Sequence, residues 1–250
     1  MQASVNIMDV DVDMLSNDVF VEKINDCLTN EKLQVIYFAS TEIITGIVEG
    51  GRHQELAELA ELLLPGEEAL LSAHHEEVLE AGDMVVSCRS FGLALQRLTK
   101  KSRTIYIISR SELDVELLTS YCTAMQPDIK IVGSCVYTEG MDDVAIVNDI
   151  NSHVPDFLIV DLETGRQERW ILKQASLLNA RLCVAIGGVS GIIKSQQKET
   201  PQWIEKIHLG DLYRKVVQEQ SVKKDWRARI FRKKVVHYNN QIEEKKEDDS

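Results

Sequence analysis

The sequence has no run of 18 or more apolar residues, so it offers no membrane-spanning helix. Its start, Met1 to Asp13, is acidic and mixed, without the basic first residues and apolar stretch of a secretory leader. The chain is therefore expected to stay in the cytoplasm. No CxxC pair links the five scattered cysteines, Cys27, Cys88, Cys122, Cys135 and Cys183. Reduced thiols packed as small apolar groups are the expectation. The six histidines, His74 and His75 included, form neither HExxH nor any spacing suited to zinc, so no metal is expected. Neither a GxGxxG nor a Walker A segment occurs, which removes the two best-marked nucleotide loops. Net charge is −12, which disfavours nonspecific nucleic-acid binding.

What is present is an α/β pattern. At 250 residues and 44% hydrophobic, the chain is long enough for one large domain or a domain plus an appendage. Ser16 is placed to cap a first helix with Phe20, Ile24, Cys27 and Leu28 on one face. Strands are expected at Gln34–Ala39, Met84–Ser87, Thr104–Ser109, Lys130–Gly133, Phe157–Leu162 and Leu182–Gly187. Helices are expected at Phe91–Leu98, Glu112–Met125, Met141–Ile150 and Arg166–Leu178. A further helix behind the Gly50-Gly51 turn carries Leu56, Ala57, Leu59, Ala60 and Leu63. Several strands are apolar on both faces, as in a parallel sheet covered on both sides. The alternation predicts a Rossmann-like, doubly wound, mostly parallel sheet. Ligands in such sheets bind at the carboxyl ends of strands, so the loops after Ala39, Ser109, Leu162 and Gly187 are the places to look.

After Pro201 the strand signals stop. Trp203 to Tyr238 reads as two or three helices, and the stretch Glu205–Lys234 holds ten Lys or Arg against four Asp or Glu. Residues 1–200 are thus expected to form the main domain, and 201–250 a basic helical appendage ending in a disordered acidic tail.

The most informative segment runs from Pro155 to Ile171. A buried strand enters a turn containing Gly165, then a helix that opens with Arg166, Gln167 and Glu168. Backbone N–H groups at that helix start favour an anion or polyol, and Gln167 is placed to bond a sugar or base. The plainer alternative is that Glu168 complements the helix dipole and Trp170 packs in the core.

The strand–turn–Arg-Gln-Glu-x-Trp-Ile sequence resembles the G-x-P-[KR]-Q-E-x-W-I signature of the WecG/TagA/CpsF family of bacterial N-acetylmannosaminyltransferases. Ala185-Ile-Gly187-Gly188 resembles that family's V-G-G strand end, Pro201-Gln-Trp203 its A-P-x-W, and Leu212-Tyr-Arg214 with Glu219 its W-L-Y-R…E-P. Ile131-Val-Gly133, Ile150-Asn151 and Pro155-Asp156 fit its spacing. The resemblance implies a Rossmann-like fold with a basic C-terminal appendage. It implies inverting transfer of N-acetylmannosamine or a related sugar from a UDP donor to a polyprenyl-diphosphate-linked acceptor, at the inner face of the membrane and without a bound metal or other cofactor. The cationic helices would rest there on anionic lipid. Arginine would then neutralise the leaving diphosphate, with Arg214 best matched and Arg227 and Arg229 beside it. Gly165, Arg166, Gln167, Gly187 and Gly188 complete the implied donor site. A protein partner or a second copy of the chain is a further implied companion.

Active members carry T-x-N after an early strand and P-D-G in the next segment, the Asp serving as base for the acceptor hydroxyl. Here Tyr37 and Ala39 take the first two places, and Leu64-Pro65-Gly66-Glu67 leaves Glu67 as the nearest carboxylate. Substituting Gly66 with Asp would restore the pattern. The L-G-G turn has become Ile108-Ser109-Arg110, and the G-x-P turn Glu163-Thr164-Gly165. Two further readings stay open beside active transfer: an inactive relative serving as partner or regulatory subunit of an envelope glycosylation system, and an unrelated Rossmann-like nucleotide binder.

Overall fold

The computed structural model describes residues 3–50, 53–71, 84–85, 89–187 and 226–241. Among the described residues, six parallel strands form a sheet: β3 (Gln34–Ala39), β4 (Leu62–Pro65), β5 (Thr104–Ser109), β6 (Lys130–Val136), β7 (Phe157–Asp161) and β8 (Leu182–Ala185). Their spatial order is β4-β3-β8-β7-β5-β6. A separate antiparallel hairpin, β1 (Ala3–Ile7) and β2 (Val10–Met14), turns through Met8 and Asp9, both at positive φ. It lies beside β4, where the backbone N–H of Leu63 donates to Asp13 Oδ2 at 2.9 Å.

Alternate residues of the buried strands feed two cores, which is why these strands read as unbroken apolar runs. On one face, Ile36, Phe38, Ile105, Ile107, Phe157 and Ile159 meet α1 (Asn17–Cys27), α5 (Arg89–Gln96) and α6 (Glu112–Met125). Edge-to-face pairs fix that packing: Phe20 with Phe38 at 6.1 Å, Phe91 with Phe157 at 5.9 Å. On the other face, Val35, Tyr37, Tyr106, Ile108, Leu158 and Val160 meet α2 (Thr41–Val48), α7 (Asp143–His153) and α8 (Arg166–Gln174). Two shorter helices, α3 (His53–Leu59) and α4 (Glu68–Leu71), flank β4 in sequence. The last described helix, α9 (226–241), buries Phe231 and Val235 in this second core. Each fully buried large apolar side chain contributes about 1.5–3 kcal/mol.

Serines start three helices, and of these Ser16 is the cap expected from the sequence. Ser16, Ser40 and Ser111 accept N–H bonds from Val19, Ile43 and Asp114 in the first turns of α1, α2 and α6. The amino ends of three strands are tied by Asp156. It accepts from Arg103 Nη1 at 2.9 Å, from the Thr104 N–H at 3.0 Å and from Thr104 Oγ1 at 3.2 Å, and pairs with Arg181 at 3.7 Å. Strand β6 closes one side of the sheet and is half-exposed along its length. Its register slips opposite Ile105 and Tyr106, which pair with Ile131 and Gly133 and leave Val132 as the extra residue of a bulge.

Several expectations are corrected. Leu63 belongs to β4, not to the helix before it, because α3 stops at Leu59 and the chain reverses into a parallel strand beside β3. Leu59, placed on the apolar face of that helix, is exposed. Of the strand expected at Met84–Ser87, Met84 instead makes an isolated antiparallel bridge to Ser16, outside the parallel sheet. Cys27, Cys122 and Cys183 are buried in the cores and Cys135 is half-buried. Burial pushes the Cys122 and Cys183 thiols up to about 12, so both stay protonated and inert.

Candidate active site at the carboxyl ends of the strands

Strands β5 and β7 are neighbours, and Ser109 lies opposite Asp161 at their carboxyl ends. The helices that follow leave in opposite directions: α6 packs Leu117, Leu118 and Tyr121 on the first face, α8 packs Trp170 and Ile171 on the second. Diverging connections open a crevice between adjacent strand ends, the usual ligand position in such sheets. Ser109, Arg110, Asp161 and Glu163 come together there. Ser109 Oγ donates to Asp161 Oδ2 at 2.9 Å, and both residues are fully buried. Arg110 Nε donates to Asp114 Oδ2 at 2.8 Å, and Ser111 Oγ donates to the same oxygen at 2.8 Å. Burial opposes the Arg110 charge, but Asp114, Asp161 and Glu163 outweigh it and hold the guanidinium above its ordinary range.

Beside the crevice, the turn into α8 is held from beneath. Gly165 has φ +84 and forms the N-cap, a conformation that side chains rarely adopt. Its N–H donates to Glu168 Oε2, the return half of a capping box. The N–H groups of Arg166 and Gln167 both donate to the Glu163 carbonyl at 3.0 Å. The N–H groups expected to receive an anion at this helix start are thus already bonded within the protein. Gln167 is fully buried. Its Oε1 accepts from Leu162 N at 3.4 Å and Gly187 N at 3.3 Å, and its Nε2 donates to the Tyr37 hydroxyl at 3.0 Å. The Tyr37 hydroxyl in turn donates to Glu168 Oε1. Burial first, then the Glu168 carboxylate, push the Tyr37 phenol well above its ordinary range. This closed network joins the ends of β3, β7 and β8. Trp170 packs in the core, as the plainer reading of the segment has it.

The other sequence-derived candidates are dispersed. Arg166, the first residue of α8, pairs with the exposed Glu139 at 3.6 Å. Gly187 takes φ +64 at the end of β8. Glu67 follows β4, half-buried, with Thr41 Oγ1 donating to its Oε2 at 3.4 Å. At about 4.8 Å per strand, the β4 end lies roughly 14 Å along the sheet from that of β7. That separation is too long for one contact and within reach of an extended nucleotide sugar. Gly66 has no room for a side chain: a Cβ there would lie 2.6 Å from the Ala39 carbonyl oxygen and 3.0 Å from backbone atoms of Phe38. Arg227 and Arg229 are exposed on α9. Two positions apart on a helix, they project about 160° from each other and do not converge on one group. Gly188 and Arg214 lie outside the described residues. Ser109, Arg110 and Asp161 are the members that sequence reasoning missed; the signal available was their place at the ends of two-faced strands.

Among the described residues, no group of three or more His, Cys, Asp or Glu is arranged to hold a metal ion, and no helix is long and apolar enough to cross a membrane. The profile of the Glycosyl transferase WecG/TagA/CpsF family matches residues 5–224. Similar relatives include the N-acetylglucosaminyldiphosphoundecaprenol N-acetyl-beta-D-mannosaminyltransferase of Staphylococcus aureus strain NCTC 8325 / PS 47, 19% identical over 98% of this chain and 96% of the relative. The protein of the same description from strain MRSA252 is 18% identical over the same shares. The family match takes in every strand of the parallel sheet and both sides of the crevice, so the chain belongs to the WecG/TagA/CpsF family of glycosyl transferases.

Proposed function

We propose that the chain transfers an N-acetylmannosamine-like hexosyl group from a UDP-sugar to a polyprenyl-diphosphate-linked acceptor in cell-envelope polysaccharide synthesis. The observation that carries this reading is a family match running through the whole sheet and its diverging strand ends, supported by relatives named for that transfer. The donor lies along the carboxyl edge, its diphosphate at the β5–β7 crevice near Arg166 and its sugar toward β4. Glu67, the carboxylate following β4, takes the proton of the acceptor hydroxyl as that oxygen attacks the anomeric carbon from the face opposite the leaving UDP. Gln167 acts from beneath, holding Leu162 and Gly187 in place. The reaction takes place on the cytoplasmic face of the membrane. There α9 supplies Trp226 (66% exposed) and, three positions on along the same face, the exposed Arg229 for contact with anionic lipid headgroups.

The test is UDP release from UDP-N-acetylmannosamine in the presence of a polyprenyl-diphosphate-N-acetylglucosamine acceptor in vesicles. Glu67→Gln should lower turnover about 10²–10⁴-fold while leaving UDP affinity unchanged. Folded wild-type protein that neither binds UDP nor releases it from the donor refutes the reading. One observation favours a second reading, an inactive relative that acts as a partner subunit: Tyr37, in the place where active members carry Thr, accepts the bond of the Gln167 amide and holds it inward. That reading requires stable association with an active transferase and no turnover.

A further inference from the structure

We propose that Arg110 is the residue that grips the donor's diphosphate, an assignment that rests on the donor reading above and adds to it a cation from outside the α8 turn. Three observations carry it. Arg110 stands where the connections of β5 and β7 part to opposite faces, the position at which the sheet opens to a ligand. Its guanidinium is fixed rather than floppy, because Nε is bonded to Asp114 at 2.8 Å and Asp114 is itself held by Ser111. Anchoring through Nε leaves Nη1 and Nη2 without a hydrogen-bond partner among the described residues, and the side chain remains 37% exposed. A planar guanidinium tethered at one nitrogen and open at the other two matches the paired oxygens of a phosphate.

The surrounding charges define what Arg110 must overcome. Asp161 is buried and bonded by Ser109, and Glu163 is exposed on the facing loop; both act on the Arg110 charge. These carboxylates weaken the long-range attraction for an anion, so binding depends on direct contact with the two open nitrogens. Removing the Glu163 charge should therefore tighten diphosphate binding, whereas removing Arg110 should abolish most of it.

Calorimetric titration of the full chain with UDP, uridine and inorganic pyrophosphate tests this, using wild type, Arg110→Ala, Arg110→Lys and Glu163→Gln, with thermal melts alongside. Arg110→Ala should weaken UDP and pyrophosphate about 10–100-fold and leave uridine unchanged, Arg110→Lys should fall between, and Glu163→Gln should tighten both anions about 2–5-fold. Unchanged UDP affinity in a folded Arg110→Ala protein overturns the assignment and reduces Arg110 to a brace for α6, while the donor reading stands. Pyrophosphate binding that depends on Arg110, with no binding of UDP, supports the anion site and removes the donor reading. Wild type that binds neither UDP nor pyrophosphate overturns both.

Discussion

Replacing Tyr37 with Phe removes one oxygen from a site with no access to water. That hydroxyl donates to Glu168 Oε1 and accepts from Gln167 Nε2 at 3.0 Å. Loss of a hydrogen bond to a charged group costs about 1.5–3 kcal/mol and a neutral one about 0.5–1.5, and the ring itself stays in place. Because neither Gln167 nor Glu168 can turn to solvent, the expected destabilisation is about 2–4 kcal/mol, or roughly 4–16 °C in melting temperature for a chain of this size. Urea denaturation followed by far-UV circular dichroism measures it. The double variant with Glu168→Gln, analysed as a cycle, separates the Tyr37–Glu168 coupling from general loss of packing. The raised phenol pKa adds a signed prediction. Tyr37 keeps its proton in the fold to higher pH than in the unfolded chain, so its contribution is complete below the ordinary value of 10.0 and is lost as pH climbs through the native value. Wild type should accordingly lose its margin over Tyr37→Phe above pH 10. A loss below about 0.5 kcal/mol, constant with pH, would refute the idea that this network braces the turn.

Two other substitutions test the frame around the site. Asp156→Ala removes an acceptor shared by Arg103 and Thr104 at the amino ends of the strands and should cost about 3–5 kcal/mol in urea denaturation, leaving two arginines without their carboxylate. Gly66→Asp, which the sequence pattern invites, forces a Cβ into the backbone of β3 and should cost about 1–3 kcal/mol without raising UDP release; a gain in turnover would show that β3 yields.

The parallel sheet was legible because Phe157–Asp161 and Thr104–Ser109 are apolar on both faces, and burial on both faces leaves few alternatives. Glu112–Met125 was equally clear, its start set by Ser111. The β1–β2 hairpin was not read, although Val10, Val12 and Met14 alternate with acids. Its turn uses Met8 and Asp9 at positive φ, without the glycine that marks most such turns. The strand Leu62–Pro65 is not evident in the sequence, and Leu63 reads as part of the preceding helix, because a four-residue apolar run has no period of its own. At the candidate site, the sequence singled out the turn into α8 but gave Gln167 an outward, ligand-binding role, whereas its amide faces inward. Its inward direction depends on Tyr37, 130 residues away in the chain, and only the folded sheet brings the two together.

The bulge in β6 has a consequence for how copies of this chain meet. A regular outermost strand displays a row of free amide and carbonyl groups that another molecule can extend into a continuous ribbon. Here the extra residue, Val132, breaks the two-residue repeat of that row, and Lys130 places a charge at its beginning. Among the described residues, strand-to-strand pairing at this edge is thereby disfavoured.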